Sequence, residues 1–294
     1  MSNDLQKVIL LTGASTGLGL TIAKKLIKEN YHLVLTARAT SMERFKENGI
    51  EEADNIWLRH LDVTDAQQRV DLIIEINQRL GGVDILINNA GFTFRSVVEH
   101  VQEDERMQQM DTNFLAPMEL TRLVLPFMRG KREGKIINIS SVGGMMAMPT
   151  MAIYSASKWA LEGSTESLWY EVKPWNIKVT LIQPGFINSD SFKHVRDTKK
   201  SKLSKEGNDT YHNHYRNMSS FIERVMKISP SSAEDVADKT LKVIKAKNPP
   251  LRVAGTLDAH LFSIFRRIIP RRLYHLILYY TLPGIHKWGK ESND

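Results

Sequence analysis

Short apolar runs and helix-period segments take turns along this chain. Residues 7–12 carry the unbroken run Val8-Ile-Leu-Leu11, closed by Thr12-Gly13, which is the mark of a strand buried on both faces. Similar runs follow at His32–Ala37 and at residues 55–62, 83–87, 135–140 and 178–183. Between them apolar residues recur at helical spacing. Leu20, Ile22, Ala23, Leu26 and Ile27 follow the first run; Val70, Ile73, Ile74 and Ile76 follow the third, behind Thr64 or Asp65 as a cap. A longer helical segment covers residues 103–129 with a bend near Pro117, and another runs from Tyr154 to about Val172, stopping before Pro174. Ser231 or Ser232 caps a helix carrying Val236, Leu241, Val243 and Ile244, and residues 251–254 form a last strand.

Strand and helix thus alternate six times. That pattern predicts an α/β fold, a Rossmann-like doubly wound parallel sheet of about seven strands with helices on both faces. Right-handed crossovers place the loops that follow the strands on one edge. Gly13, Asn89, Ser141 and Gly185 are therefore expected to line one crevice. Residues 1–255 form one domain and residues 256–294 a C-terminal helical extension. Within the domain, residues 190–217 are polar and lack a hydrophobic period; Lys199, Lys200, Lys202 and Lys205 make them loop-like.

Composition narrows the picture. With 42% hydrophobic and 25% charged residues the 294-residue chain can bury an ordinary core. It has no cysteine, which excludes disulfides, thiolate chemistry and cysteine-bearing metal sites. Net charge is +7 and the sequence pI about 9.4, a balance compatible with nucleic acid, an anionic membrane surface or a phosphorylated ligand. A merely basic soluble protein is the better reading, with no nucleic-acid partner. The N-terminus lacks a signal-peptide layout, and no apolar run approaches the roughly 18 residues of a membrane-spanning helix. A cytoplasmic protein is expected.

Three stretches carry chemistry. Gly13-Ala14-Ser15-Thr16-Gly17-Leu18-Gly19 joins a strand to a helix, the layout of a dinucleotide phosphate site. The spacing is G-x-x-x-G-x-G rather than G-x-G-x-x-G. The second strand ends Thr36-Ala37-Arg38, with no acid for a ribose 2′-OH; a guanidinium there suits a 2′-phosphate, so NADP is favoured over NAD. Tyr154 and Lys158 stand four positions apart, on one face of a helix. A nearby ammonium lowers a phenol's pKa and makes it a usable proton-transfer group near neutrality.

Taken together, Thr12-Gly13-x-x-x-Gly17-x-Gly19, Asp62-Val63, Asn88-Asn89-Ala90-Gly91, Asn113, Ser141, Tyr154-x-x-x-Lys158 and Pro184-Gly185 resemble the short-chain dehydrogenase/reductase family, in the family's order. Ser141-Val-Gly-Gly-Met-Met-Ala-Met-Pro149 is most similar to its hydroxysteroid and retinol dehydrogenase branch. The resemblance implies roles. Tyr154 would be the general acid in hydride transfer; Lys158 would lower its pKa and hold the nicotinamide ribose. Ser141 would bond the carbonyl oxygen; Ser140 is its rival, and the separation of Ser141 from Tyr154 is the one that matches the family. Asn113 would bend its helix and hold a water leading from Lys158 to solvent. Thr12, Ser15, Thr16 and Leu18 would join the three glycines around the pyrophosphate, and Asp62 and Val63 would edge the adenine. Asn89, Ala90 and Gly91 would line the crevice, and Pro184, Gly185, Ile187 and Ser189 would close over the nicotinamide. Residues 190–230 would form a mobile substrate lid, with a surface insertion as the alternative.

The extension reads as two short amphipathic helices, 257–269 and 271–282, broken at Pro270. Phe262, Ile264, Phe265, Ile268, Leu273, Leu276 and Ile277 sit among Arg266, Arg267, Arg271 and Arg272. Such faces suit a membrane interface, a substrate mouth or a subunit contact; packing on the chain's own body is favoured, and peripheral membrane contact stays open. Met145, Met146, Met148 and Met151 precede Tyr154, with Met148 expected at the substrate. No metal is expected: His194, His212 and His214 lie among polar residues without an acidic ligand pattern. The expectation is an NADP(H)-dependent oxidoreductase acting on a small lipophilic carbonyl or alcohol (steroid, retinoid or fatty ketone or aldehyde), as a homo-oligomer, dimer or tetramer. A 3-oxoacyl-type reductase and a catalytically silent dinucleotide-binding protein with a membrane- or partner-binding tail are the alternatives.

Overall fold

Successive side chains of a strand point to opposite faces, and in β1 (Val8–Leu11) both faces are apolar and buried. Ile9 and Leu11 join one core layer with Ile22, Leu26 and Phe45, while Val8 and Leu10 join another with Ile73, Ile76 and Leu120. One sheet therefore separates two cores. The computed structural model describes residues 6–187, 195–207 and 209–289.

The elements follow in chain order. After β1 come α1 (Gly17–Leu26), β2 (His32–Ala37), α2 (Glu43–Glu47), β3 (Ile56–His60), α3 (Ala66–Leu80) and β4 (Ile85–Asn88). Next are β5 (Phe94–Arg95), α4 (Glu103–Met110), α5 (Ala116–Lys131), β6 (Gly134–Ile139), α6 (Ala152–Val172) and β7 (Ile177–Gln183). The last are β8 (Arg196–Asp197), α7 (Lys199–Glu206), α8 (His212–Ile228), α9 (Ala233–Lys245), β9 (Arg252–Ala254), α10 (Leu257–Ile268) and α11 (Arg271–Thr281). The main sheet has seven strands in the order β3-β2-β1-β4-β6-β7-β9, all parallel. The strand order reverses between β1 and β4, which opens a crevice at their C-terminal ends. Asp65 caps α3 by accepting from the Gln68 N–H, and Ser232 caps α9.

Two expectations shift. The bend predicted near Pro117 lies one turn earlier, where residues Asp111–Leu115 widen into a π-type turn between α4 and α5. A proline ring clashes with the carbonyl four residues back, here that of Asn113, so the widening falls upstream of the proline itself. The loop-like reading of residues 190–217 also changes, because α7 and the first part of α8 are helical there. In α8 Tyr215, Met218 and Ile222 are buried at helical spacing, a period that begins where the polar stretch ends. β5 and β8, too short to read from pattern, pair in a second small parallel sheet beside the crevice. Among the described residues no helix is long and apolar enough to cross a membrane.

Candidate active site

The crevice at the strand-order reversal is a cleft of about 610 Å³. Its phosphate end is built from tight backbone contacts. Thr12 Oγ1 accepts from the N–H groups of Asn89 and Ala90, both at 3.0 Å, tying the end of β1 to that of β4. The Asn89 amide donates to Thr12 O at 3.0 Å and Gly13 O at 3.1 Å. A Cβ on Gly19 would stand 2.1 Å from Gly13 O, so the turn closes only with glycine there. Gly17, at φ 53°, faces open space. The first N–H groups of α1 have no helical acceptor and aim at that space, which Ser15, Thr16 and Leu18 border.

At the other end of this half lie Arg38 and, unforeseen from the sequence, Arg44 and Ser41. Arg44 comes from α2, a helix of five residues whose short pattern gave no signal. Asp62 and Val63 also line the cleft. Asp62 Oδ1 accepts from Thr64 N at 2.9 Å and Thr64 Oγ1 at 2.7 Å, so its carboxylate braces its own turn. Two guanidinium groups at the adenine end, glycine backbone and a helix N-terminus in the middle fit a phosphorylated dinucleotide.

Tyr154 and Lys158 stand on the first turns of α6 and both line the cleft. The hydroxyls of Ser141 and Thr93 stand beside the Tyr154 phenol in the cleft lining. Burial pushes the phenol above its ordinary pKa, and those two hydroxyls only partly oppose the rise. The lowering by Lys158 that the spacing suggested is not among the causes at work here; burial sets the direction. Lys158 is itself buried, with Nζ donating to Ile139 O at 2.8 Å. Burial lowers the ammonium to about 8, against the opposing pull of Glu162 one turn on. Gly143 leaves room for the Tyr154 ring; a Cβ there would approach its Cε1 to 2.9 Å.

The rival serines separate by geometry. Ser141 Oγ accepts from Gly143 N at 3.0 Å and reaches the phenol. Ser140 Oγ is buried behind Gly144 with no hydrogen-bond partner. Asn113 sits in the π-type turn, 1% exposed, and does not line the cleft. Its Oδ1 accepts from Phe92 N at 3.0 Å, and its Nδ2 donates to Phe92 O at 2.9 Å and Ser157 Oγ at 3.1 Å. Ser157 Oγ donates on to Tyr154 O at 2.7 Å. Asn113 therefore fixes the start of α6 against the loop after β4, as a positioning residue.

The remaining expected residues divide. Ala90, Gly91, Met148 and Gly185 line the cleft. Thr12 and Pro184 do not; they brace its frame, Pro184 O accepting from Val142 N at 2.7 Å. Ile187 packs on the core instead, and Ser189 and His194 lie outside the described residues. His212 bonds the Ser204 carbonyl and His214 packs on Trp288. The substrate half also holds residues that pattern reading missed: Thr93, Arg95, Ile222 and Met226. Ile222 and Met226 stand four apart on α8, a spacing visible in the sequence once α8 is recognised. From the extension, Asp258 Oδ2 accepts from Phe186 N at 2.9 Å, and Thr256 Oγ1 from Gly185 N at 2.8 Å.

Residues 7–200 match the family model described as short chain dehydrogenase. The chain is 34% identical to a 3-ketodihydrosphingosine reductase of Bacteroides thetaiotaomicron over 94% of its length and 98% of the relative's. It is 35% identical to a 3-oxoacyl-(acyl-carrier-protein) reductase of Vibrio cholerae, over 66% of its length and 79% of the relative's. A solved short-chain dehydrogenase from Streptomyces avermitilis superposes with a TM-score of 0.77 at 28% identity, covering 93% of this chain and 97% of that one.

Proposed function

The chain belongs to the short chain dehydrogenase family, and from that membership we propose that it reduces the carbonyl of a lipophilic, long-chain ketone with NADPH. The observation that carries the reading is the Tyr154 phenol, flanked by Ser141 and Thr93 in the same cleft as the α1 N-terminus and Arg38. When bound, the dinucleotide supplies the hydride. The chain's own residues orient and protonate. Ser141 donates to the carbonyl oxygen and steadies the charge that develops there. Tyr154 gives that oxygen a proton. A phenol raised by burial is fully protonated at neutral pH, so it starts as an acid, the state that reduction requires. Lys158, at about 8, exchanges protons close to physiological pH beside it.

Arg38, with Arg44 beside it in the lining, supports NADPH over NADH through bidentate contact with a 2′-phosphate. Met148, Met151, Ile222 and Met226 give the substrate half a flexible apolar lining. The full-length similarity to a 3-ketodihydrosphingosine reductase supports a long-chain ketone over a steroid or retinoid. The deciding experiment is NADPH consumption against long-chain ketones, steroid ketones, retinal and 3-oxoacyl thioesters. Turnover confined to thioesters would transfer the assignment to the acyl-carrier type of reductase. Tight NADPH binding with no turnover of any of them would make the chain a silent dinucleotide binder.

A further inference from the structure

The C-terminal extension is apolar on two sides. One side of α10 and α11 is used internally: Phe262, Phe265, Ile269, Tyr274 and Leu278 pack with Val142, Met145, Met146 and Met148. Arg266 stacks on the Trp159 ring at 4.6 Å and Asp258 holds the Phe186 N–H, so the extension is fixed to the body. The other side has no partner among the described residues. Leu257, Leu261, Ile264 and Ile268 recur at helical spacing along α10, with Leu261 58% and Ile268 74% exposed. On α11, Leu273, Leu276 and Tyr280 continue the stripe, with Tyr279 beside it.

Charge identifies the occupant. Across residues 257–289 the cations Arg266, Arg267, Arg271, Arg272 and Lys287 stand against the single carboxylate of Asp258, whose Oδ1 is buried. Arg266 is engaged by Trp159, but Arg267, Arg271 and Arg272 are exposed, so the exposed surface of the extension combines apolar side chains with one sign of charge. A twofold contact between copies would set these arginines against themselves. An anionic lipid surface instead accepts the leucines and isoleucines among its acyl chains and the arginines among its phosphates. Exposed Tyr279, Tyr280 and Trp159 are amphipathic rings of the kind that settle at headgroup level.

We propose that the outer side of α10 and α11 docks on a bilayer containing anionic phospholipid. Met148 belongs both to the cleft and to the cluster under α10 and α11. Docking thus holds the apolar end of the cleft roughly one helix diameter, ~10 Å, from lipid. A water-insoluble substrate can then reach the cleft without crossing bulk water. The inference concerns the surface and stands whichever carbonyl the cleft accepts.

The test is co-sedimentation of the full chain with phosphatidylcholine vesicles, with and without phosphatidylserine. Binding to the phosphatidylserine vesicles is expected, weakening as salt rises. The triple variant Leu261→Asp, Ile268→Asp, Leu276→Asp is expected to lose at least about tenfold in vesicle affinity, with NADPH turnover of a water-soluble ketone kept. Ile268→Asp alone serves if the triple variant does not fold. Arg267→Gln with Arg271→Gln and Arg272→Gln is expected to remove the preference for phosphatidylserine. A wild-type chain that stays in the supernatant, or Asp variants that sediment as it does, would overturn the proposal. So would a wild-type dimer that the Asp variants convert to monomer without any vesicle binding, since that assigns the side to a second copy.

Discussion

At the scale of the residue, burial decides how Tyr154 and Lys158 behave. It raises the phenol and lowers the ammonium to about 8. Tyr154→Phe removes the proton donor while keeping the ring against Gly143. Turnover is expected to fall by about two to four orders of magnitude, with NADPH affinity retained in a fluorescence titration; retained turnover would sink the acid assignment. Lys158 has a stability consequence with a definite sign. Its folded pKa of about 8 lies below the ordinary 10.5, so between those values the unfolded chain binds more protons and stability rises with pH. Below about 8 the buried charge costs most, up to about 3 kcal/mol. Lys158→Met is therefore expected to melt higher than wild type at pH 7 while losing turnover, with the gap narrowing toward pH 10. A lower midpoint at pH 7 would show that the bond to Ile139 outweighs the burial. Arg38→Asp is expected to move cofactor preference toward NADH by about tenfold or more, and Arg44→Asp to move it the same way. Unchanged NADPH-to-NADH ratios in both variants would remove the 2′-phosphate reading.

At the scale of the element, the strands and the helices on the sheet were legible because each has a buried apolar face with one clear period. Residues His32–Ala37 form β2 with the bounds the pattern predicts. α8 was hidden because its period begins only at Tyr215, after a lysine-rich stretch that reads as loop. α2 and β5 were hidden because two to five residues are too few to show a period. α10 was legible as an amphipathic helix, but its role in the cleft was not. Its Asp258 reaches back across the fold to the Phe186 N–H, beside the Pro184-Gly185 turn. Asp258→Ala is expected to raise the apparent KM for NADPH about tenfold, from loss of a charge-assisted bond, with kcat little changed and Asp258→Asn restoring most of it. Equal KM values in all three proteins would show that the turn holds itself.

At the scale of the molecule, the extension joins the core to the outside. Val142 and Met146 are buried in a cluster that α10 and α11 complete. Deleting residues 257–294 is expected to lower the melting midpoint and increase binding of a hydrophobic dye, so truncation confounds a membrane test that single surface substitutions keep clean. An unchanged midpoint would mean that the extension does not complete the core.

What the chain's order of residues determined by itself was the alternation of strand and helix, the glycine turn, and the spacing of Tyr154 and Lys158. All of these rest on local periods and backbone sterics, which neighbours in sequence set directly. What only the tertiary structure decided was which groups meet: Thr93 and Ser141 at the phenol, Asn113 turned to Phe92 and Ser157, and one side of the extension consumed while the other is left bare among the described residues. Those contacts join residues far apart in the chain, and burial there changes proton affinities that spacing alone cannot set.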